Sequence, residues 1–280
     1  MGFGCNAAGV VGCRIIDSQR ERMIAMLTNS FVPCNGRFPL LITLITVFFV
    51  GSSLGVSAPL VSALLLTAFI VLGVIMTLII SRLLSATLLR GVPSAFTLEL
   101  PPYRTPQFGK VIVRSMIDRT AFVLGRAVIS AIPAGMIIWC LANFKSGDSS
   151  LLQLCADYLD PFAAILGLDG VILLAFILAL PANEIVIPII IMAYLSASSL
   201  VDISDLTSLK ALFIANGWTV KTALCTILFS LFHWPCATTL LTVKKESGSI
   251  KWLLAAAVIP TVCGMLLCIS ASLIFSLMGY

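Results

Sequence analysis

The sequence predicts an all-α, polytopic membrane protein with five to six transmembrane or re-entrant helical elements, some of them broken. Two features of composition lead there. Apolar residues make up 60% of the 280 residues and charged residues only 10%, against about 25% charged in soluble domains, and the mean hydropathy is +1.12. The third observation is that the apolar residues come in repeated runs of the length one bilayer crossing needs, about 20 residues. A cleaved secretory leader does not explain runs spread along the whole chain, and Arg14, Arg20 and Arg22 do not form its charged-then-apolar pattern.

Taken in order, the runs predict spans at about Phe38 to Leu54, Ala58 to Leu84, Thr120 to Phe144, Leu166 to Leu200, Thr219 to Thr242 and Lys251 to Met278. The stretch GSSLGVSAP joins the first two as a small-residue turn, with Pro59 suited to the first turn of the following helix. The chain divides into an N-terminal cysteine-motif segment (1–37), a helical hairpin (38–84), a cytoplasmic linker (85–119) and a gate-like membrane domain (120–280). Within the linker, Pro101, Pro102 and Pro106 favour an extended path. Val111, Ile112, Met116 and Ile117 with Arg104, Lys110, Arg114 and Arg119 then predict an amphipathic elbow at the headgroups, as an anchor or as a contact for a cytoplasmic domain.

Orientation follows from Lys and Arg in short loops. Arg14, Arg20, Arg22 and Arg37 precede the first span and six basic residues lie between the second and third, so both segments are expected on the cytoplasmic side. Lys145 with Asp148, Asp157 and Asp160 reads as external. A full crossing by residues 166–200 would put Lys244, Lys245 and Lys251 outside. A re-entrant hairpin that breaks near Pro181 to Glu184 and returns to its own side resolves the conflict; one tilted, kinked span fits the length as well. Irregular backbone at membrane depth is tolerated only when buried in protein or lining a wet cavity.

Three interruptions carry the polar chemistry. In GLDGVILLAFILALPANEIVIPIIIMAYL, Pro181 frees backbone groups beside Asn183 and Glu184, and an intramembrane carboxylate usually faces a pathway or a partner. It could equally pair with an Arg from another helix or cap a half-helix. In LFHWPC, Pro235 disfavours helix at Trp234 and leaves His233 and Cys236 at the break. His233 reads either as a hydrogen-bonded interior residue or as a ligand. GFGCN and FVPCNGRFP each place a thiol beside an amide, Cys5 with Asn6 and Cys34 with Asn35. Thiolate, amide and carboxylate together suit a borderline divalent metal such as Fe(II); glycine and small cysteines also let helices pack closely in lipid.

The nine cysteines include no C-x-x-C and no zinc-finger spacing, so free thiols are expected, most of them packing residues. No basic stripe interleaved with aromatics points to nucleic acid. Without H-E-x-x-H or G-x-S-x-G, and with a single His, a hydrolase is disfavoured. The Gly109-Lys110 pair lacks the surrounding residues of a P-loop, G-x-x-x-x-G-K-[ST].

The blocks GFGCN, FVPCNGRFP, LELPPYRTPQFGKVIVRSMIDRTAFVLGRAVISAIPAG, LGLDGVILLAFILALPANEIVIP and LFHWPCATTLLTVKKESGSIKW resemble, in the same order, the C-terminal membrane region of ferrous iron transport protein B (FeoB). The resemblance implies Fe(II) uptake across a bacterial inner membrane by a multi-pass protein with two gate modules and an N-terminal cytoplasmic G domain. It carries Cys5 and Cys34 over as iron-handling thiols. Glu184 and Cys236, with Asn6, Asn183 and His233 beside them, extend the metal set by their place at helix breaks. Ala8 stands where relatives typically have proline, which weakens the match at the first break. Fe2+ is then the transported ion and no cofactor is permanently bound. The expected partners are the lipid bilayer, a G domain with the first membrane half, and a second copy of the chain. The chain itself is expected to be the C-terminal part of a split, truncated or excised transporter. The rival readings are a gate-module permease for another substrate, such as a nucleoside, and a non-transporting membrane subunit.

Overall fold

Helix breakers cut the apolar runs into segments whose ends are fixed by side-chain caps, and the computed structural model shows where each piece goes. It describes residues 2–50, 58–91, 109, 113, 122–146, 149–197, 199–200, 203 and 205–278. The predicted GSSLGVSAP turn and the amphipathic elbow of the linker lie outside the described residues.

In chain order the helices are α1 (Asn6–Gly12), α2 (Gln19–Thr28), α3 (Phe38–Leu44, continued by a π-helical stretch Ile45–Val50), α4 (Ala58–Ala86), α5 (Phe122–Asn143), α6 (Leu151–Ile165), α7 (Gly170–Leu178), α8 (Val186–Tyr194), α9 (Leu206–Ala215), α10 (Val220–Phe232), α11 (Ala237–Ser247) and α12 (Ile250–Leu277). The β pairing among the described residues is one two-residue ladder, Lys145–Ser146 against Ser149–Ser150. Side chains of Ser18, Ser150, Asp169, Asp205, Thr219 and Ser249 accept backbone N–H groups at the starts of α2, α6, α7, α9, α10 and α12, which satisfies donors no helix can pair internally. Gly248, at φ +67°, closes α11 in the left-handed conformation.

Four stretches are long and apolar enough to cross a membrane, Gln19–Val50, Ala58–Ala86, Val220–Ser247 and Ile250–Leu277, and α6 with α7, bent by 108°, is a fifth candidate. The protein is therefore an all-α multi-pass membrane protein. Its core lies around α10, where Phe229, Leu231 and Phe232 are fully buried together with Phe31 and Phe176.

The two ends of the bundle are chemically distinct. At one end Arg14 holds Glu246 through two bonds of 2.6 Å, and Arg20 donates to Ser85 Oγ and to the Leu89 carbonyl. This gathers the loops after α1, α4 and α11, the cation-rich segments assigned to the cytoplasm. At the other end Tyr194 Oη donates to Asp169 and accepts Trp218 Nε1–H at 2.7 Å, while Phe213 and Trp218 stack with Phe48. Asp169 starts α7 and Tyr194 ends α8, so the two helices enter and leave at the same end. They form a hairpin, the arrangement that resolves the charge conflict, rather than one kinked span.

Two sequence expectations are corrected, and two helices are present that the sequence analysis did not assign. The first span begins well before Phe38, since α2 and α3 run as one broken stretch from Gln19 to Val50; the arginines of α2 had masked its apolar face of Met23, Met26 and Leu27. The external stretch after the third span contains α6, and the stretch after residue 200 contains α9. Both are too short or too polar to register as spans. Arg37, counted among the loop cations, is 0% exposed, because its guanidinium finds backbone carbonyls inside the protein.

Candidate functional site

Each broken element stops for a local reason. Pro33 has no N–H to continue α2, and a single 3₁₀ turn, Asn35–Arg37, leads into α3. α7 ends at Leu178, and Pro181 and Ala182 carry the chain across to the turn Asn183–Ile185 and α8. α10 ends at Phe232, His233 is extended at ψ 175°, and Pro235 separates it from α11. At its start, α1 is led by Cys5 in extended conformation, φ −149°.

These interruptions meet. Asn35 N–H donates to the Gly4 carbonyl at 3.2 Å, joining the two cysteine blocks, and Ala237 N–H donates to the Leu180 carbonyl at 2.8 Å, joining the α7 and α10 breaks. Asn29 Nδ2 donates to the Asn6 carbonyl at 2.8 Å. A Cβ built on Gly36 would lie 3.9 Å from the Glu184 nitrogen, so the α2 break rests on the α7 break. α7 has nine residues, about 13 Å at 1.5 Å per residue, so the meeting point lies about that far along α7 from Asp169.

The sequence-predicted residues fall as follows. Cys34 and Cys236 both lie within electrostatic reach of the Arg37 guanidinium, and Cys236 within that of Cys5 and Cys34. Cys34 is buried, Cys5 and Cys236 are half-buried, and Glu184 is exposed beside Asn35. Cys236 Sγ contacts Thr239 Oγ1 at 3.3 Å. His233 is buried, with Nδ1 at 2.9 Å from the Ser230 carbonyl and 3.2 Å from the Phe229 carbonyl; it is a hydrogen-bonded interior residue. Those acceptors demand a proton on Nδ1, so the neutral ring's Nε2 is an acceptor; it faces the Asn183 amide at 3.4 Å and can bond it only with the amide turned to present Nδ2–H. Asn6 and Asn183 are buried, and Asn6 Oδ1 has no hydrogen-bond partner. All seven predicted residues lie at or beside these contacting breaks. Among the described residues, no three of His, Cys, Asp and Glu are grouped closely enough to hold a metal ion. The nine cysteines carry no disulfide.

Sequence reasoning missed Arg37 and two buried serines, Ser30 and Ser230, whose hydroxyls have no partner. The signal for Arg37 was its position inside FVPCNGRFP, one residue before an apolar span. Nothing distinguishes that pattern from a loop cation without the neighbouring break.

The bundle is a multi-pass membrane protein whose interrupted helices bring polar groups together, and its sequence matches a transporter region and not a catalytic domain. The family model described as "Ferrous iron transport protein B C terminus" matches residues 66–119, and the gate model described as "Nucleoside recognition" matches residues 124–250. The chain is 26% identical over 273 residues to the Fe(2+) transporter FeoB of Staphylococcus aureus strain MSSA476, covering 94% of this chain and 38% of that protein. It is 26% identical over 267 residues to that of Campylobacter jejuni, covering 90% and 42%. It is 25% identical over 301 residues to an Fe(2+) transport protein A/Fe(2+) transporter FeoB fusion protein of Porphyromonas gingivalis, covering 90% and 34%. No solved structure matches. The chain is thus similar to ferrous iron transport protein B, with residues 66–119 matching the model of that protein's C terminus. It spans about two fifths of the length of the curated relatives it matches.

Proposed function

We propose that this chain is the C-terminal permease portion of a ferrous iron transporter of a bacterial inner membrane, and that Fe2+ passes the meeting point of the breaks by exchanging ligands. The observation that carries this reading is the convergence of four chain interruptions that present Cys5, Cys34 and Cys236 with Glu184, Asn35 and Asn183. Thiolate, carboxylate and amide donors fit a borderline divalent cation. Donors spread around a route, none grouped as a closed cage, fit conduction, where a site must bind weakly enough to release.

Glu184 and Asn35 are exposed at a depth where lipid would leave them unsatisfied. A further membrane surface is therefore needed to cover them. We assign that role to a first membrane half coupled to a G domain, with a second copy of this chain as the alternative cover. In this reading the chain has no enzymatic activity of its own and keeps no resident cofactor.

The test is Fe2+ uptake in cells lacking other iron importers, with the chain supplied together with the N-terminal portion of a relative. Cys34→Ser and Cys5→Ser lower uptake at least about tenfold, the loss of one good soft ligand being worth more than about 1.4 kcal/mol, while membrane insertion is unchanged. Normal uptake by both variants removes these thiols from the route. The nucleoside-recognition match supports a second reading, a nucleoside permease, which predicts uptake stimulated by nucleoside and indifferent to both substitutions.

A further inference from the structure

The interrupted span formed by α10 and α11 should expose a row of carbonyl oxygens, because the last four carbonyls of any helix have no partner within it. Their fates can be followed one by one. The Phe229 and Ser230 carbonyls face His233 Nδ1. Phe232 O packs against Gly264, where a Cβ would come within 3.0 Å. The remaining three, Leu231, His233 and Trp234, all turn to one group. Arg37 Nη1 donates to Leu231 O at 2.8 Å and Nη2 to His233 O at 3.1 Å and Trp234 O at 3.4 Å; a fourth carbonyl, Ser30 O from the break after α2, accepts from Nη1 at 2.9 Å.

Four carbonyl oxygens from two helix breaks, converging on a buried positive charge, are the ligand set that broken-helix transporters offer to a metal cation. Here a guanidinium fills it. Among the described residues Arg37 has no carboxylate within ion-pair distance, so carbonyl dipoles rather than a counter-ion hold it. Around it lie polar atoms that this arrangement leaves unused: Arg37 Nε itself, Ser30 Oγ, Ser230 Oγ and Asn6 Oδ1 are buried without partners. Ser30 and Ser230 flank or supply the carbonyls just named, and Asn6 is tied to Asn29, next to Ser30.

We propose that Arg37 is a tethered cation that closes the carbonyl cradle of the interrupted α10–α11 span, so that its guanidinium and the transported divalent cation compete for the same oxygens. The inference rests on the permease reading and adds a gate to it. Opening requires the guanidinium to leave the four carbonyls, and the unpartnered oxygens of Ser30, Ser230 and Asn6, carried by the same two breaks and by α1, are the acceptors it would turn to. Arg37 thus holds the cradle against the cation in the closed state and releases it in the open one.

The experiment is anaerobic equilibrium binding of Fe2+ to the purified full chain, folded and monodisperse in detergent, comparing wild type with R37A and R37K. Removing the competitor frees charge-polarised carbonyls, and R37A binds Fe2+ at least about tenfold more tightly. Methylguanidinium added at millimolar concentration weakens Fe2+ binding to R37A and leaves wild type unchanged, a response a merely structural arginine does not produce. R37K, with a compact ammonium reaching fewer carbonyls, binds Fe2+ more tightly than wild type by a smaller factor. If R37A does not fold, R37K decides: affinity equal to wild type overturns the proposal. Unchanged affinity in a folded R37A overturns the gate while leaving the permease reading in place, and absence of Fe2+ binding in wild type and both variants overturns both.

Discussion

The span made of α10 and α11 is broken at its centre, whereas α4 runs 29 residues without interruption, and the two differ in what surrounds them. About 67% of the apolar window in Val220–Ser247 is buried within the protein, against 11% in Ala58–Ala86. Lipid offers no hydrogen bonds, so a helix facing it must satisfy its own backbone throughout. A helix enclosed by protein can open, because neighbours supply partners: Arg37 for the α10 carbonyls, the Leu180 carbonyl for the first N–H of α11. α12 lies between these cases. It contains Pro260 yet remains helical, and its buried residues Ala256, Pro260, Gly264 and Cys268 recur every four positions, so the proline stands on the stripe that faces protein. The break after α10 and the proline of α12 thus lie where other helices cover them, whereas Pro133 of α5 and Pro161 of α6 stand exposed within their helices.

The sharpest way to break this comparison is to remove packing from each region in turn. Phe229 is fully buried and its ring lies 5.0 Å from Phe176 and 5.9 Å from both His233 and Trp234. Association inside a membrane depends on van der Waals packing, so F229A loses about 3 kcal/mol of stability, read as a lowered unfolding midpoint in detergent. Leu78, 66% exposed on α4, faces lipid, and L78A changes the midpoint by no more than about 0.5 kcal/mol. Equal effects would mean that α4 is covered by protein after all.

A smaller contrast separates two glycines. A Cβ on Gly264 would stand 3.0 Å from the Phe232 carbonyl and 3.2 Å from Phe232 Cβ, whereas a Cβ on Gly135 of α5 meets nothing within 4 Å. G264A forces α12 away from the end of α10 at a cost of about 1–3 kcal/mol. G135A relieves the entropic penalty of glycine in a helix and stabilises by up to about 1 kcal/mol. Melting the two variants side by side checks the sign of each.

The readable parts of this molecule were those where local chemistry and tertiary outcome agree. Long unpunctuated runs gave α4 and α12. Pro181, Pro235 and the PCNGR block marked the breaks, and the Lys and Arg distribution favoured the α7–α8 hairpin over a kinked span. The illegible parts were decided by partners distant in sequence. α2 is amphipathic with Arg20 and Arg22 on its polar side, so only its packing against α4 and α12 reveals it as the start of a span. The cradle around Arg37 joins residue 37 to residues 231–234, a separation of about 200 positions that no local pattern encodes. That Cys5, Cys34, Glu184 and Cys236 occupy one region was suggested by four separate interruptions, but their adjacency depends on the backbone bonds between breaks.

The smallest expected effect lies at the solvent-facing margin, in α9, where neither lipid nor core dominates. Asp205 accepts hydrogen bonds from the Ser208 hydroxyl at 2.7 Å and backbone N–H at 2.9 Å and from the Thr207 hydroxyl at 2.6 Å. These donors hold its carboxyl well below the usual carboxylate range. A depressed folded-state pKa means that the cap contributes fully above the unfolded value of about 3.9 and is lost only as pH falls through the lower folded value. Asp205 therefore stays ionised throughout pH 5 to 8, and hydrogen exchange of the amides at residues 206–209, once intrinsic rates are divided out, does not change across that range. D205A speeds it several-fold across that range by removing the acceptor, and D205N, which keeps an acceptor and loses the charge, does so less. A protection factor that already falls between pH 6 and 5 in the wild type would place control of α9 in another titrating group. The exposed margin would then be governed by contacts to the bundle, as α10 is, rather than by its own cap.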